Sequence, residues 1–279
     1  MTTPRAKPAA GQTDYVLGAT DDELIRLGFQ HQMWRAQAYA VWERAGFGLG
    51  SRLLDVGCGP GYTTLDLAQL VGQAGHLTAV DMSDRFVEHL RGVSARLGLN
   101  HVETRIRDVQ NLDLPPDSFD GAYTRWVLCF VADPNAVIAG AARALRRGGV
   151  LAVQDYYRYD ALALAPQSDA FRRVIRAVDE SWRAHGGDPD VGCRLPALME
   201  RNGLRIREIK PLLRTARPHE PLWQWPATFF RNYVPTLVNM GLISEQERAE
   251  FDAVWRERSA DPAAFFVTPP MIDVIAEKA

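Results

Sequence analysis

The chain alternates short apolar runs with longer stretches of helical periodicity. Residues 52–56, 76–81, 101–107, 121–124 and 150–154 are apolar or alternating runs of four to seven residues bounded by turn formers, which predicts five strands. Between them, apolar side chains recur every three or four positions. This predicts helices over 63–71, over 83–98 with Phe86, Val87, Leu90, Val93 and Leu97 on one face, and after Asp133-Pro134 with Val137, Ile138, Ala141, Ala142 and Leu145 inward. Asp133 suits a helix cap and Pro134 the first helical position, while Gly72, Gly98 and Gly148-Gly149 supply stops. Four strand–helix units ahead of a fifth strand form the pattern of a parallel sheet covered on both faces.

The flanking segments are less regular. A helix is predicted from Asp21 to about residue 42, capped by Thr20 or Asp21, with Gly28 arguing against one unbroken element. Leu24, Leu27 and Trp34 share a face with His31, so His31 either lies over a wet pocket or is a satisfied packing residue. After the fifth strand, Asp155-Tyr156-Tyr157-Arg158-Tyr159-Asp160 is rich in phenols and charge, and Phe171, Val174, Ile175, Val178 and Trp182 mark an amphipathic helix. A sixth strand is expected over 203–212 and a final one over 271–277. Between them, 217–262 carries Trp223, Trp225, Phe229, Phe230, Tyr233 and Trp255, with Ser244 and Glu247 set as a capping box. Pro226 and Pro235 argue against a long helix there. The expected organisation is a tail at 1–12, a helical cap at 13–50, a core at 51–155, a helical insertion at 156–202, and C-terminal strands at 203–279 interrupted by the aromatic insertion.

Composition acts mainly by exclusion. A formal charge of −2 over 279 residues gives no electrostatic case for nucleic acid or acidic lipid. No stretch of about 18 apolar residues predicts a membrane span, and residues 1–12 lack the apolar segment of a signal peptide. The three cysteines, Cys58, Cys129 and Cys193, are scattered without metal-ligand spacing, which suits a reduced, cytoplasmic, metal-free protein. A small molecule is then the expected partner, with a homodimer left open.

The densest chemistry lies at 53–64. An acid, Asp55, is followed by Gly57, Gly59 and Gly61 at alternate positions. Glycines are needed where the backbone turns left-handed or a ligand passes close. The third glycine comes one residue too early for a dinucleotide loop, where Tyr62 stands instead, and no Gly-Lys-Ser/Thr phosphate loop follows. Asp81 closes the second strand twenty residues after Gly61. An acid there can accept hydrogen bonds from both ribose hydroxyls, or can cap the next helix, a role also open to Ser83. Met82 beside it is either a platform for adenine or a core residue. Thr124, Arg125 and Trp126 fall at the end of the fourth strand, on the edge where parallel sheets bind ligands.

Asp55, Gly57, Gly59 and Gly61, Asp81, Asp108-Val109, Phe119-Asp120 and Gly148-Gly149 together resemble, in order and spacing, the class I S-adenosylmethionine-dependent methyltransferases. The sequence is most similar to their small-molecule branch, related to the ubiquinone and menaquinone biosynthesis methyltransferases. The resemblance covers about 52–155 and continues beyond only as a strand pattern. It implies a Rossmann-like α/β fold: a seven-stranded, mostly parallel sheet, helices on both faces, an antiparallel final strand, and helical lid insertions. It implies S-adenosylmethionine as cofactor, with Asp55, Gly57, Gly59, Gly61, Asp81, Met82, Thr124 and Arg125 around it. Asp108 would take the adenine amino hydrogen, and the Val109 N–H would meet a ring nitrogen. The N-terminal helical segment would cover the cofactor, making Tyr15, His31 and Trp34 lid candidates. By position, Trp126 either lines the acceptor site or packs in the core, and Tyr156 and Tyr157 either line that site or form a polar-edged surface turn. Trp225, Phe229, Phe230 and Tyr233, with Trp223, either enclose a flat apolar substrate or form a helical core.

An activated methyl needs alignment and exclusion of water more than it needs a base. Should a base be required, His31, Asp155, Tyr156, Tyr157, His185 and His219 are the candidates, unranked. The absence of an Asn/Asp-Pro-Pro-Tyr motif argues against adenine and protein-amide acceptors. The expected activity is methyl transfer to an oxygen, nitrogen or carbon of a small aromatic or apolar metabolite. Two other readings stay open: a different use of bound S-adenosylmethionine, and a non-catalytic S-adenosylmethionine-binding protein.

Overall fold

A computed structural model describes residues 20–279; the expected tail and the lid candidate Tyr15 lie outside the described residues. Its centre is a seven-stranded sheet in the order β3-β2-β1-β4-β5-β10-β7. In chain order the strands are β1 (Arg52–Val56), β2 (His76–Asp81), β3 (Val102–Ile106), β4 (Phe119–Arg125), β5 (Leu145–Tyr156), β7 (Leu204–Leu212) and β10 (Met271–Lys278). Only β10 runs against its neighbours, pairing antiparallel with both β5 and β7. The chain moves outward from β1 to β3, then returns to lay β4 on the other side of β1. That reversal opens a crevice beyond the carboxyl ends of β1 and β4.

Helices α1 (Asp21–Ala45), α2 (Tyr62–Val71), α3 (Asp84–Arg96), α4 (Pro134–Ala144), α5 (Asp169–Ala184), α6 (Leu195–Arg201), α7 (Gln224–Asn239) and α8 (Glu245–Ala260) complete the layers. One apolar cluster joins Ala38, Val41 and Trp42 of α1 and Leu67 and Val71 of α2 to Leu53, Leu77, Tyr123 and Ile275 of the sheet. A larger one joins Leu54, Val56 and Leu151 to Val137 and Ile138 of α4 and runs on into the aromatic side chains of α5, α7 and α8. The C-terminal half of α1 is thus bound to the sheet, while its N-terminal half reaches past the strand ends.

Several elements differ from their sequence pattern. Helix α1 is unbroken through Gly28. A Cβ at Gly28 would stand 2.9 Å from Tyr62 Cζ, and the Tyr62 hydroxyl donates to Leu24 O at 3.0 Å, so this glycine permits close packing rather than a break. Helix α7 likewise continues through Pro235, with Trp225, Phe230, Tyr233, Val234 and Leu237 buried along it. Pro226 sits in its first turn, where a missing N–H costs little. Strand β5 extends to Tyr156 because Met271 of β10 pairs with it. A small second sheet, β6 (Ala163–Ala165), β9 (Phe265–Val267) and β8 (Thr215–Ala216), was not visible as periodicity.

Gly61 is the residue through which the loop after β1 enters α2, at φ 90°. A Cβ there would stand 2.3 Å from Leu90 Cδ1 of α3. Gly61→Ala therefore combines left-handed strain with overpacking and should lower the unfolding free energy by about 2–4 kcal/mol, measured by urea denaturation.

Candidate active site

The loop after β1 is tied to β2 by its own backbone. Gly57 N and Cys58 N donate to Val80 O at 2.8 and 3.0 Å. Gly59 N donates to Asp81 Oδ2 at 2.8 Å, and Asp81 Oδ1 accepts from Ser83 N at 2.9 Å. Asp81 is a charge held by backbone dipoles, and burial pushes its carboxyl above the usual range. A Cβ at Gly59 would meet nothing within 4 Å, so this backbone faces open space. Beneath the loop, Asp55 is wholly buried and accepts from Thr64 Oγ1 at 2.7 Å; burial pushes it up to about 6. It ties the loop to α2 and does not reach the cavity wall.

His31 fastens α1 over this loop. Its Nδ1 lies 2.9 Å from Arg125 Nη2 and its Nε2 2.9 Å from Asp66 Oδ2. A guanidinium only donates, so Nδ1 accepts and Nε2–H donates to the carboxylate. Asp66 also receives both arms of Arg35, at 2.6 and 2.7 Å. Burial and the Arg125 charge lower the His31 pKa against the pull of Asp66, keeping the ring neutral. With both nitrogens engaged, His31 has no free lone pair to act as a base. Arg125 also donates to Thr63 Oγ1 at 3.0 Å and stacks 4.8 Å over Trp126. Its Nη1 is buried without a partner.

These elements wall a cavity of about 250 Å³. One half holds Gly57, Gly59, Asp81, Met82, Asp108 and Val109. Asp108 there caps the short turn Val109–Asn111, accepting from Gln110 N at 2.9 Å. The other half is aromatic: Trp126 lies 6.2 Å from Tyr156, and Tyr156, Tyr159 and Trp182 pack against one another at 4.6–6.0 Å. Phe229 and Phe230 of α7 close it.

The family model for a methyltransferase domain matches residues 49–201, more than half of the chain. The chain belongs to the class I S-adenosylmethionine-dependent methyltransferases. It is 31% identical over 166 residues to the ubiquinone biosynthesis O-methyltransferase of Xanthomonas euvesicatoria, covering 59% of this chain and 66% of that one. It is 30% identical over 152 residues to the carboxy-S-adenosyl-L-methionine synthase of Dichelobacter nodosus, covering 47% and 63%. The chain thus matches less than two thirds of either relative's length. In fold it is similar to a Bacillus halodurans protein solved as a candidate methyltransferase, with a TM-score of 0.60 at 17% identity, over 87% of this chain and 99% of that one.

Not every residue expected at the site reaches the cavity. Gly61 is spent on the contact with Leu90, and Thr124 is buried within β4. Trp34 stands behind the wall, edge-on to Trp126 at 5.7 Å and Trp225 at 5.0 Å. Tyr233 backs Phe229 at 5.3 Å and shares a hydrogen bond of 2.9 Å with Ser181. Tyr157 is 36% exposed and outside the lining; it sits in the bend just past the end of β5, with its N–H bonded to Pro270 O. Of the remaining base candidates, His219 is exposed. Asp155 is buried and accepts from Leu128 N, Cys129 N and Tyr156 N at 2.9, 3.3 and 2.8 Å. His185 is on the wall, with Nδ1 bonded to Ser181 O at 2.6 Å. In the aromatic insertion, Trp225, Phe229 and Phe230 line the cavity, while Trp223 stacks on Trp255 at 4.9 Å as packed core. Tyr159, Trp182, Arg26 and Gln30 line the cavity without having been singled out from sequence for it. The signal was there for Tyr159, which shares the phenol-rich run with Tyr156.

Asp55 and Asp155 are both pushed up to about 6 by burial. The folded chain binds these protons more tightly than the unfolded chain, so their contribution to stability is present at low pH and lost as pH rises through about 6. Asp55→Asn should reduce the fall in unfolding free energy between pH 5 and 7.5 by about 1 kcal/mol, read from urea titrations at both pH values.

Proposed function

We propose that the protein transfers the methyl group of S-adenosylmethionine to an oxygen, nitrogen or carbon of a small apolar or aromatic acceptor. The observation that carries this reading is one continuous cavity with two chemically distinct halves, meeting at Arg125 and Trp126. The first half suits a nucleoside with an amino-acid tail. Tyr62 stands where a dinucleotide loop needs its third glycine, which argues against a pyrophosphate. Asp81 would accept from the ribose hydroxyls, and Met82 and Val109 would flank the purine. Asp108 would face the purine's amino group. Arg125 lines the cavity beside the loop, and its guanidinium charge suits the carboxylate of the amino-acid tail.

When bound, S-adenosylmethionine supplies a methyl on a sulfonium, which leaves while its bonding pair stays on sulfur. The chain's residues need only orient the acceptor and exclude water. Helices α1 and α7 would cover the site, with His31 holding α1 down through Asp66 and Arg125. Trp126 and Tyr156 would set the acceptor against the methyl. A second reading, a different use of the same cofactor, draws on the similarity to a carboxy-S-adenosyl-L-methionine synthase.

Incubation with methyl-labelled S-adenosylmethionine and a panel of aromatic metabolites separates the readings. Label should appear in a product; label kept on the cofactor beside an altered acceptor would favour the second reading. Asp81→Ala should weaken S-adenosylhomocysteine binding by about 1.5–3 kcal/mol in calorimetry, through loss of hydrogen bonds to a charged acceptor. An unchanged dissociation constant would remove the ribose from this carboxylate.

A further inference from the structure

Two phenol hydroxyls in the aromatic half of the cavity stand apart from the other tyrosines. Tyr156 ends β5 and Tyr159 opens the short turn Tyr159–Ala161. They are 6% and 3% exposed, both line the cavity, and their rings meet edge-on at 5.1 Å. Other buried phenols are spoken for: Tyr123 donates to Gln154, and Tyr233 is bonded to Ser181; the half-buried Tyr62 donates to Leu24 O. Among the described residues, neither the Tyr156 nor the Tyr159 hydroxyl has a hydrogen-bond partner, although buried polar groups are as a rule satisfied. Both hydroxyls retain access to the cavity, since neither is among the fully enclosed unpaired atoms. A ligand oxygen is the natural partner for such a pair.

The surroundings select the sign of its charge. Burial pushes both phenols up, so they remain protonated donors. Arg26 of α1 lines the same cavity and its charge acts on both rings; Glu23 holds it at 2.6 and 2.7 Å, and Gln30 accepts from it at 3.0 Å. The acids nearby lie behind the wall. Asp155 is occupied by three backbone N–H groups, and Asp179 is paired with Arg183. The carboxylates on the wall itself, Asp81 and Asp108, belong to the half under the glycine loop. An ammonium would thus meet two O–H donors and a guanidinium already paired with Glu23, with no carboxylate on this part of the wall to receive it.

We propose that Tyr156 and Tyr159 form a two-donor subsite for the oxygen anion, phenolate or enolate, of an otherwise apolar acceptor. The subsite rests on the methyl-transfer reading and narrows its acceptor class. Trp182, Leu162, Phe229 and Phe230 supply the apolar surround. Trp126 spans from Tyr156 to the Arg125 guanidinium, which sets the held oxygen one ring away from the end of β4. An acceptor that arrives already ionised also needs no general base, which agrees with the full engagement of His31 and Asp155.

The test uses the full chain loaded with S-adenosylhomocysteine and 4-nitrophenol as probe, with absorbance reporting whether the bound form is phenol or phenolate. The wild type should bind saturably and enrich the phenolate. Tyr156→Phe and Tyr159→Phe should each weaken binding fivefold or more, and the double variant 30-fold or more. The affinity for S-adenosylhomocysteine and for nitrobenzene, which has no ionisable oxygen, should stay within twofold. If Tyr156→Phe does not fold, Tyr159→Phe decides alone. Equal probe affinity in the folded variants, binding as neutral phenol, or no saturable binding would overturn the subsite. A wild type that binds no S-adenosylhomocysteine would overturn the methyl-transfer reading itself and the subsite with it.

Discussion

The backbone must pass from a buried strand into a buried helix within five residues while leaving one side open. That constraint at Gly57–Gly61 shapes the rest of the site. Each glycine meets a different part of it. Val127 fills the space against Gly57, Leu90 fills it against Gly61, and open space remains at Gly59. With side chains excluded, the loop is steadied by polar contacts instead: Val80 O below, Asp81 beside it, and Asp55 through Thr64 behind it. The cost is buried carboxylates, seen in the raised pKa values of Asp55 and Asp81. The benefit is a rigid wall with backbone and carboxylate groups facing a ligand-sized space.

Helix α1 couples this wall to the cover above it. Its far half is a packing element, with Trp42 edge-on to Tyr123 at 5.5 Å. Its near half is held by charge: Asp66 takes both His31 and Arg35, and Arg125 takes the other side of His31. The imidazole therefore works as a neutral bridge between α1, α2 and the end of β4. Arg125 is aimed by this bridge and by Thr63, which leaves Nη1 free within the protein. The aromatic half has a different physical basis. Tyr156, Tyr159 and Trp182 pack ring on ring, with Phe229 and Tyr233 continuing the stack into α7. Shape there comes from ring packing, and polarity from the phenol hydroxyls left over.

Legibility followed the range of the interaction. Strands β1 and β2, helix α2 and the cap of α4 were readable because local periodicity, glycine stops and an Asp-Pro start act within a few residues. The continuity of α1 through Gly28 and of α7 through Pro235 was not, since Tyr62 and the aromatic core decide both from elsewhere in the chain. The two- and three-residue strands of the small sheet are too short to show a period. At the cavity the same divide appears. Gly57, Gly59, Asp81, Asp108 and Val109 follow from strand ends, and all lie on the wall. Trp34, Tyr157 and Tyr233 carry suitable chemistry but point elsewhere, because the bend after β5 and helix packing fix direction beyond what residue type reveals.

The sequence alone determined the doubly wound sheet, its glycine-rich turn and the family it belongs to, because these rest on short-range periodicity and on residue types at fixed spacing. Tertiary structure decided that His31 is a bridge with no lone pair to spare, that Arg125 keeps one buried N–H unpaired, and that Tyr159 comes round to meet Tyr156. Each of those outcomes depends on atoms brought together from distant segments, and a hydrogen-bond partner cannot be counted until every neighbour is in place.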